Sequence, residues 1–250
     1  MKSFDYSKIS HFYDDLEVDL DLNRGILENL DRIFKTYGCK KVWDGACGTG
    51  AQALALADKG YQLLASDIDE SMLGLARAKK CTGKINFLQA DICELQVGCQ
   101  DAIISMTNVL SHFDESRIKA LLKNISASLK RGGLYIADFE NRSFLEFPDR
   151  LPDDFFVSGE GKFKGENVKR MTKACPLGDG LYEMTDRWKT DEGVIHEASW
   201  DLKAWYRNEI QAFLEEAGLI IELWSNRSFE KLDLKQISQV DSLLFIAKKV

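Results

Sequence analysis

The sequence from residue 42 to residue 50 is Val42-Trp43-Asp44-Gly45-Ala46-Cys47-Gly48-Thr49-Gly50. It combines a short apolar strand, an acidic residue and a glycine-rich turn, and a helical pattern opens directly after it. Glycine permits a positive φ and lets a ligand approach the main chain closely. The N-terminus of the following helix adds unpaired N–H groups and the positive end of the helix dipole. The stretch therefore predicts a site for a cofactor that contains a nucleoside.

Two kinds of cofactor compete for this turn. Gly48-x-Gly50-x-x-Ala53 fits the dinucleotide fingerprint G-x-G-x-x-G/A, in which a helix N-terminus binds pyrophosphate. Asp44 argues against that interpretation, because a carboxylate and a pyrophosphate repel each other at low dielectric. A carboxylate at this position suits a cofactor that carries an ammonium and a sulfonium. An NAD(P)-dependent oxidoreductase remains the alternative enzyme.

The stretch resembles the first motif of the class I S-adenosylmethionine-dependent methyltransferases, hydrophobic-hydrophobic-Asp-x-Gly-x-Gly-x-Gly, with Ala46 in place of the first glycine. Further stretches resemble the family in the same order along the chain: Leu63–Asp69, Ser71–Arg77, Ile85–Ile92, Asp101–His112 and Leu129–Asp138. The resemblance implies an α/β fold with a doubly wound, mostly parallel, seven-stranded Rossmann-like sheet whose last strand is antiparallel. It implies an enzyme whose cofactor is S-adenosyl-L-methionine.

The resemblance also assigns cofactor contacts. Asp67, about 20 residues beyond the glycine turn, would take both ribose hydroxyls, while Asp91 would meet the adenine amine and Ile92 would lie near the ring. Asp69 is better explained as a helix cap. Arg24 would either meet the methionine carboxylate or be a surface arginine of its helix. The predicted cofactor residues are Tyr13, Arg24, Asp44, Ala46, Gly48, Gly50, Asp67, Ile68, Met72, Asp91, Ile92, Met106 and His112.

A more specific resemblance is to the glycine N-methyltransferase branch, carried by Ala46–Gly50, Asn108-x-x-x-His112 and Asp138-x-x-Asn141. In that branch the Asn lies near the acceptor and the His near the cofactor, and an arginine directly before the last Asn holds the substrate carboxylate. This chain has Glu140 there, and a carboxylate cannot clamp a carboxylate. If Glu140 faces the pocket, the sequence favours a cationic or amine acceptor over glycine. Otherwise Glu140 is an exposed loop acid.

The candidates for catalysis are Asn108, His112 and Tyr13, and the candidates for substrate binding are Tyr6, Asn108, Glu140 and Asn141. His112 could equally cap the helix that starts near Asp114, although Asp114 itself can also cap it. Gly132 and Gly133 would end this helix. A role as general base would require a substrate proton within hydrogen-bond reach.

Residues 6–14 resemble the tyrosine-bearing lid of the family. Its aromatic rings can exclude water and contact a sulfonium by cation–π attraction. Tyr13 is the first candidate for this contact and Tyr6 the second. The alternative is a hydrophobic helix packed on the sheet.

Alternating strand and helix patterns predict a parallel sheet covered on both faces. We predict lid helices and a cofactor-binding core in residues 1–138, an antiparallel β insertion in residues 139–203, and a last helix with the final strand pair in residues 204–250. Inside the insertion, we predict strands at Val168–Ala174, Leu181–Lys189 and Val194–Trp200. The insertion is a candidate for a substrate cover or for the surface of a homodimer.

The composition argues against several other partners, namely nucleic acid, membranes and metal ions. The formal net charge is −7 and no long basic run occurs, which disfavours nucleic acid as a partner. No apolar run reaches the length of a membrane span and no signal core is present, so we expect no membrane association and a cytoplasmic location. Six cysteines occur without a C-x-x-C pair, and no metal site is predicted.

We therefore expect a methyltransferase that acts on nitrogen or oxygen of a small-molecule acceptor. The alternative to an enzyme is a cofactor-binding module that does not catalyse a reaction.

Overall fold

The computed structural model describes residues 1–16, 20–147, 149–233 and 235–250. The helices are α1 (Ser10–Leu16), α2 (Leu20–Tyr37), α3 (Ala51–Asp58), α4 (Glu70–Ala78), α5 (Glu115–Ser128), α6 (Arg142–Leu145) and α7 (Arg207–Glu216). The strands are β1 (Lys41–Gly45), β2 (Gln62–Asp67), β3 (Lys84–Gln89), β4 (Gln100–Ser105), β5 (Leu129–Glu140), β6 (Phe156–Phe163), β7 (Glu166–Gly178), β8 (Leu181–Thr190), β9 (Gly193–Lys203), β10 (Leu219–Ser225) and β11 (Ser242–Lys249). Short 3₁₀ helices occupy Tyr6–Lys8, Val109–His112 and Ile237–Gln239.

Within the described ranges, seven strands form one mixed sheet in the order β3-β2-β1-β4-β5-β11-β10. The first five strands pair in parallel, and β11 runs antiparallel between β5 and β10. The prediction of a doubly wound, mostly parallel sheet with an antiparallel last strand is confirmed.

The sheet is covered on both faces, because alternate residues of a strand point to opposite sides. On β1, Val42 packs in the cluster that contains Leu30 and Phe34 of α2. The next residue, Trp43, packs in the cluster that contains Leu121 of α5. Parallel sheets depend on such two-sided burial, which leaves the carboxyl edge of the sheet as the place for a ligand.

Two helices begin at the aspartates that the sequence pattern indicated. Asp69 accepts hydrogen bonds from the N–H groups of Ser71 and Met72 at the start of α4. Asp114 accepts one from the N–H group of Arg117 at the start of α5. Both predicted caps are therefore confirmed, and the cap of α5 is Asp114 rather than His112.

A second sheet follows β5 along the chain, antiparallel and ordered β6-β7-β8-β9. The sequence predicted the last three of these strands and missed β6, which pairs at the edge of the sheet beside β7. Gly159 and Gly161 lie within it, and its register shifts between Val157 and Gly159. Glycines weaken the pattern of a strand, so this edge strand carries little signal in the sequence.

The turn before β5 also differs from its prediction. We expected Gly132 and Gly133 to end the preceding helix, but α5 ends at Ser128 and both glycines lie within β5. A side chain on Gly133 would meet the carbonyl oxygen of Lys130 at 2.9 Å. The glycines therefore serve a tight backbone approach rather than the end of the helix.

The N-terminal segment crosses the second sheet. Asp201 of β9 donates its N–H to the carbonyl oxygen of Lys2 at 2.8 Å. Phe4 packs edge-on against Trp200, with ring centroids 5.7 Å apart. The segment thus joins the insertion to the edge of the main sheet.

The predicted division into residues 1–138, 139–203 and 204–250 stays a prediction, and β5 itself continues to Glu140. All six cysteines lie in the described ranges and are unpaired. In the part of the chain that the structure describes, none of the helices combines the length and the apolar character needed to cross a membrane.

Candidate cofactor and acceptor site

The turn after β1 has a left-handed backbone at three positions. Ala46, Gly48 and Gly50 have φ values of 65°, 54° and 79°. A side chain on Gly50 would also approach Cβ of Ala76 at 3.1 Å, so this position needs glycine. Gly48 donates its N–H to Oδ2 of Asp67 at 2.7 Å, which ties the turn to the end of β2. Ligands of open α/β sheets bind at this carboxyl edge.

Asp44 immediately precedes this turn and is only 2% exposed. Its Oδ2 has no hydrogen-bond partner among the described residues. Burial and the charge of Asp67 raise the pKa of Asp44 to about 7, against the opposing hydrogen bond of the Ala53 N–H. A buried carboxylate of this kind is stabilised by a nearby positive charge. The position therefore suits the cationic part of a ligand.

A cavity of about 600 Å³ opens at the carboxyl ends of the parallel strands, a volume typical of small-molecule sites. The predicted site residues that line it are Tyr6, Tyr13, Asp44, Ala46, Gly48, Asp67, Ile68, Met72, Met106 and His112. All the predicted site residues lie in the described ranges, and those that do not line it are Arg24, Gly50, Asp91, Ile92, Asn108, Glu140 and Asn141.

The end of β2 forms one wall of the cavity. Asp67 accepts the N–H of Gly48 on one oxygen and the N–H of Asp69, at 2.9 Å, on the other. Burial raises the pKa of Asp67, although these backbone N–H groups oppose the shift. Ile68 follows and is 66% exposed, which offers an apolar surface to a ligand beside a fixed carboxylate.

The structure places the predicted adenine contacts outside the cavity lining. Oδ2 of Asp91 forms an ion pair with Arg117 at 2.5 Å. Burial disfavours its charge, but the hydrogen bonds from Arg117 and from the Cys93 N–H outweigh burial and hold the pKa of Asp91 below its usual value. Ile92 packs under the turn, where a side chain on Gly45 would meet its Cδ1 at 2.3 Å. Arg117 lines the cavity in place of Asp91, and the adenine role of Asp91 and Ile92 stays a prediction.

The loop after β4 has two consecutive residues with positive φ, Thr107 at 70° and Asn108 at 59°. A positive φ is rare for a β-branched residue and tends to occur at functional sites. In this loop, the Asn108 N–H donates a hydrogen bond to Oδ1 of Asp138 at 3.0 Å. The amide Nδ2 of Asn108 donates to Oε1 of Glu140. Asn108 and Glu140 are thus brought together, although neither lines the cavity.

His112 closes the same loop against the insertion. Its ring stacks on Trp200 with centroids 5.0 Å apart and planes 23° from parallel. The Tyr6 hydroxyl lies 3.2 Å from its Nε2. Burial lowers the pKa of His112 to about 4, so the imidazole is neutral near pH 7. A neutral ring linked to Tyr6 joins the N-terminal segment to the carboxyl edge.

Arg227 was not predicted from the sequence as a site residue. It follows β10 and lines the cavity. Its Nε donates to Oδ2 of Asp138 at 2.7 Å, and Asp138 is only 1% exposed. β10 runs parallel to β5, so its last residues reach the same edge of the sheet. That topology is the signal that could have identified Arg227.

Asp14 of α1 was likewise not predicted from the sequence. It ties this helix to the glycine turn. The Thr49 hydroxyl donates to Oδ1 of Asp14 at 2.5 Å, and Lys79 pairs with Oδ2 at 2.6 Å. Lys79 also donates to the carbonyl oxygen of Thr49 at 2.8 Å. Helix α1 is therefore held over the turn by polar contacts, while its Phe12 packs against Phe163 and Trp188 of the second sheet.

Two further predicted residues have other surroundings. Arg24 is exposed on α2, whereas its neighbour Asn23 lines the cavity. Asn141 is fully buried and donates to the carbonyl oxygens of Ile237 and Val240 at 2.6 and 2.8 Å. These contacts explain Asn141 as an anchor for the segment before β11, and its role toward a substrate stays a prediction.

Comparison with known proteins agrees with this geometry. Residues 42–133 match the family described as a methyltransferase domain. The turn, the strand order and this match are those of a class I S-adenosylmethionine-dependent methyltransferase domain.

One curated relative and two solved structures show how similar the chain is to individual methyltransferases. The chain is 27% identical over 130 residues to glycine N-methyltransferase of Mus musculus, an alignment that covers 45% of the chain and 44% of that protein. The chain thus spans less than half the length of this relative. Among solved structures, an S-adenosylmethionine-dependent methyltransferase from Clostridium acetobutylicum has a TM-score of 0.76, with 20% identity and 98% of each chain covered. The S-adenosylmethionine-bound structure of an amino pentose methyltransferase from Micromonospora echinaspora has a TM-score of 0.71, with 20% identity and 92% of each chain covered.

The predictions of the family, of its enzyme class and of its cofactor are confirmed at the level of the family. The buried Asp44 oxygen, which has no partner in the described part of the chain, and the glycine turn fit a cofactor that carries both an ammonium group and a nucleoside.

Proposed function

We propose that this chain transfers the methyl group of S-adenosylmethionine to an amine nitrogen of a small molecule. The observation that carries the proposal is the acidic lining of the cavity, to which the buried carboxyl groups of Asp44 and Asp138 contribute near the carboxyl ends of β1 and β5. Carboxylates favour positively charged or hydrogen-bond-donating ligands over anions. The names of the mouse and Micromonospora relatives, a glycine N-methyltransferase and an amino pentose methyltransferase, support an amine.

In this proposal the cofactor binds along β1 and β2. Asp44 receives its ammonium group, and the carboxylate of Asp67 receives the ribose hydroxyls. Ile68 and Met72 supply apolar surface to the adenine ring, since both line the cavity. When bound, S-adenosylmethionine supplies an electrophilic methyl group for in-line displacement.

The chain's own contribution is alignment and the exclusion of water. Tyr6 and Tyr13 line the cavity from the N-terminal segment, and their ring faces can attract a sulfonium. Alignment of the acceptor nitrogen with the methyl group can lower the barrier by roughly 7–11 kcal/mol. A strong general base is not required, because the acceptor can bind as the free amine and attack with its lone pair.

His112 is a poor candidate for the base. Its pKa of about 4 lies far below that of an alkylammonium, so the ring would not retain a proton taken from one. We propose instead that His112 stays neutral and positions Tyr6, its partner at 3.2 Å.

A nicotinamide cofactor fits these residues less well. The pyrophosphate of a dinucleotide would approach the turn after β1. Asp44 and Asp67 lie there, close enough for the charge of Asp67 to raise the pKa of Asp44. Two carboxyl groups at that point repel a doubly charged anion.

Cofactor binding is tested by calorimetric titration of the purified protein with S-adenosylhomocysteine and, separately, with NAD. We expect binding of the sulfur compound alone. Asp67→Ala should weaken it at least about tenfold, since a charged acceptor of hydrogen bonds is lost. Asp191→Ala, the same change in the exposed turn between β8 and β9, is the matched control. NAD binding, or equal affinity in both variants, would contradict the proposal.

The site of methylation is tested with D-glucosamine, which offers an amine and several hydroxyls in one molecule. After incubation with S-adenosylmethionine, mass spectrometry of the product should locate the new methyl group on nitrogen. Methylation of a hydroxyl would refute the amine assignment. Tight binding of S-adenosylhomocysteine together with no turnover on glucosamine or on a wider amine panel would favour the non-catalytic module.

A further inference from the structure

A fully buried carboxyl group lies inside the second sheet, away from the cavity. Asp186 of β8 is 0% exposed. Its Oδ1 accepts hydrogen bonds from the Thr172 hydroxyl at 2.6 Å and from Nε of Arg170 at 3.1 Å. Its Oδ2 accepts from Nη2 of Arg170 at 3.1 Å and from the indole N–H of Trp200 at 2.9 Å. Both carboxylate oxygens are thus fully engaged, as a buried charge requires.

The strand register places these four side chains on one face of the second sheet. Asp186 lies opposite Thr172 of β7 and opposite Ala198 of β9. Arg170 and Trp200 each lie two positions from these partners along their strands, and side chains two positions apart share a face. A slip of one residue would separate them. The network is therefore built into three neighbouring strands.

Direct contacts lead from this network to the wall of the cavity. The Trp200 ring stacks on His112, with centroids 5.0 Å apart, and meets the edge of Phe4 at 5.7 Å. Nε2 of His112 lies 3.2 Å from the Tyr6 hydroxyl, and the Tyr6 and Phe4 rings lie 4.7 Å apart. Phe4, Tyr6 and His112 line the cavity. One wall of the cavity thus rests on the indole that Asp186 holds.

The energy of a buried ion pair explains what this network contributes. The cost of removing two charges from water largely offsets their attraction, so the pair between Asp186 and Arg170 is weak evidence for stability. A hydrogen bond to a charged acceptor is nevertheless directional and strong. The bond from the Trp200 N–H therefore fixes the plane of the indole ring, which stacking alone would leave free to tilt.

We propose that Asp186 is a positioning residue for the cavity, which it reaches through the ring of Trp200. The fixed indole holds His112 and Phe4, and these two side chains hold Tyr6 in the place where it meets the ligand. A wall that is ordered in advance spares the ligand the entropy of ordering it. This role rests on the proposed function, because S-adenosylmethionine is taken as the ligand.

The first test is calorimetric titration of S-adenosylmethionine into the unaltered protein and into Asp186→Asn. We expect the variant to bind at least about fivefold more weakly, because the ligand must then order the side chains of the wall. Asp101→Asn is the matched control, since Asp101 pairs with Lys130 at 2.6 Å and lies near the start of β4, at the opposite edge of the main sheet. An unchanged affinity in Asp186→Asn, or an equal loss in Asp101→Asn, would overturn the role.

A double-mutant cycle separates positioning from a general structural effect. Trp200→Phe keeps an aromatic ring beside His112 but removes the N–H that Asp186 accepts. This variant should itself bind S-adenosylmethionine more weakly, and Asp186→Asn should then weaken binding by less than about twofold more, because coupled residues are not additive. The same fold-loss from Asp186→Asn in both backgrounds would show that Asp186 does not act through Trp200.

The His112 ring provides a spectroscopic readout that needs no ligand. The indole stacks on this ring with planes 23° from parallel, so its ring current shifts the imidazole proton signals upfield. In Asp186→Asn these NMR signals should move toward the positions of an unstacked histidine. Unmoved signals in the folded variant would contradict the positioning of His112 by this network.

The outcomes distinguish the positioning role from the proposed function. Failure of the unaltered protein to bind S-adenosylmethionine would remove the proposed function, and the His112 signals would still test the positioning. Normal binding by the unaltered protein with unchanged affinity in Asp186→Asn would remove the positioning role alone. Should Asp186→Asn fail to fold because Arg170 is left unpaired, the affinity of Trp200→Phe decides, since that variant keeps the ion pair.

Discussion

Replacement of Asp44 by asparagine should change stability and cofactor binding in opposite directions. Asp44 is 2% exposed and its Oδ2 lacks a partner among the described residues. Burial and the charge of Asp67 raise its pKa from 3.8 to about 7. Asparagine has nearly the same shape and no charge. We expect Asp44→Asn to stabilise the cofactor-free protein and to weaken its affinity for S-adenosylhomocysteine.

The magnitude follows from the pKa shift. A shift from 3.8 to about 7 corresponds to roughly 4 kcal/mol at most, at about 1.4 kcal/mol for each unit. The folded-state pKa lies above that of the unfolded chain, so the unfolded chain releases its proton first. The stability of the unaltered protein therefore falls as the pH rises from about 4 to about 7 and changes no further above that range. Asp44→Asn should gain about 2–4 kcal/mol at pH 8 and less than half of that at pH 5.

The assay is urea unfolding of both proteins at pH 8 and pH 5. Asp138→Asn is the matched control, because Asp138 is also buried at the end of its strand but is paired with Arg227. That variant should lose about 3 kcal/mol, since it leaves a buried guanidinium unpaired. A loss of stability in Asp44→Asn at pH 8, or the same gain at both pH values, would refute the reasoning.

Two further predictions concern the same edge of the sheet. Ala46→Gly should stabilise the protein by about 0.5–1 kcal/mol in urea unfolding, because Ala46 has a φ of 65° and glycine relieves about 1–2 kcal/mol of strain at some entropic cost. The same change at Ala55, inside α3, should destabilise the protein by about 1 kcal/mol. Equal effects of the two substitutions would contradict the idea that Ala46 is strained. The His112 ring should stay neutral between pH 8 and pH 5.5 in NMR titration, because burial lowers its pKa to about 4, and a midpoint near pH 6.5 would show that the ring is not buried in solution.

The features predicted from sequence were those that a few neighbouring residues determine. The glycine turn and the caps at Asp69 and Asp114 follow from local backbone requirements, and all are present in the fold. The mostly parallel sheet with its antiparallel last strand followed from the family resemblance and from strand and helix alternation. Such features need no knowledge of which distant residues meet.

Long-range pairing explains most of what was missed. Asp91 pairs with Arg117, which is 26 positions away in sequence, and its predicted contact with the cofactor stays a prediction. Arg227 meets Asp138 across 89 positions. No local pattern distinguishes a charged residue with such a partner from one that is free to bind a ligand. Edge strand β6 was missed for a different reason, because its exposed side chains and glycines give no alternation to detect.

The left-handed backbone at Ala46 and Thr107 has a consequence for how this protein can be altered in the laboratory. Each position holds about 1–2 kcal/mol of strain, a noticeable share of the roughly 5–15 kcal/mol by which a typical domain is stable. Substitutions that broaden the range of acceptors usually destabilise as well. Libraries aimed at the cavity should therefore yield more folded variants when they start from the Ala46→Gly background, because that background tolerates a second destabilising change.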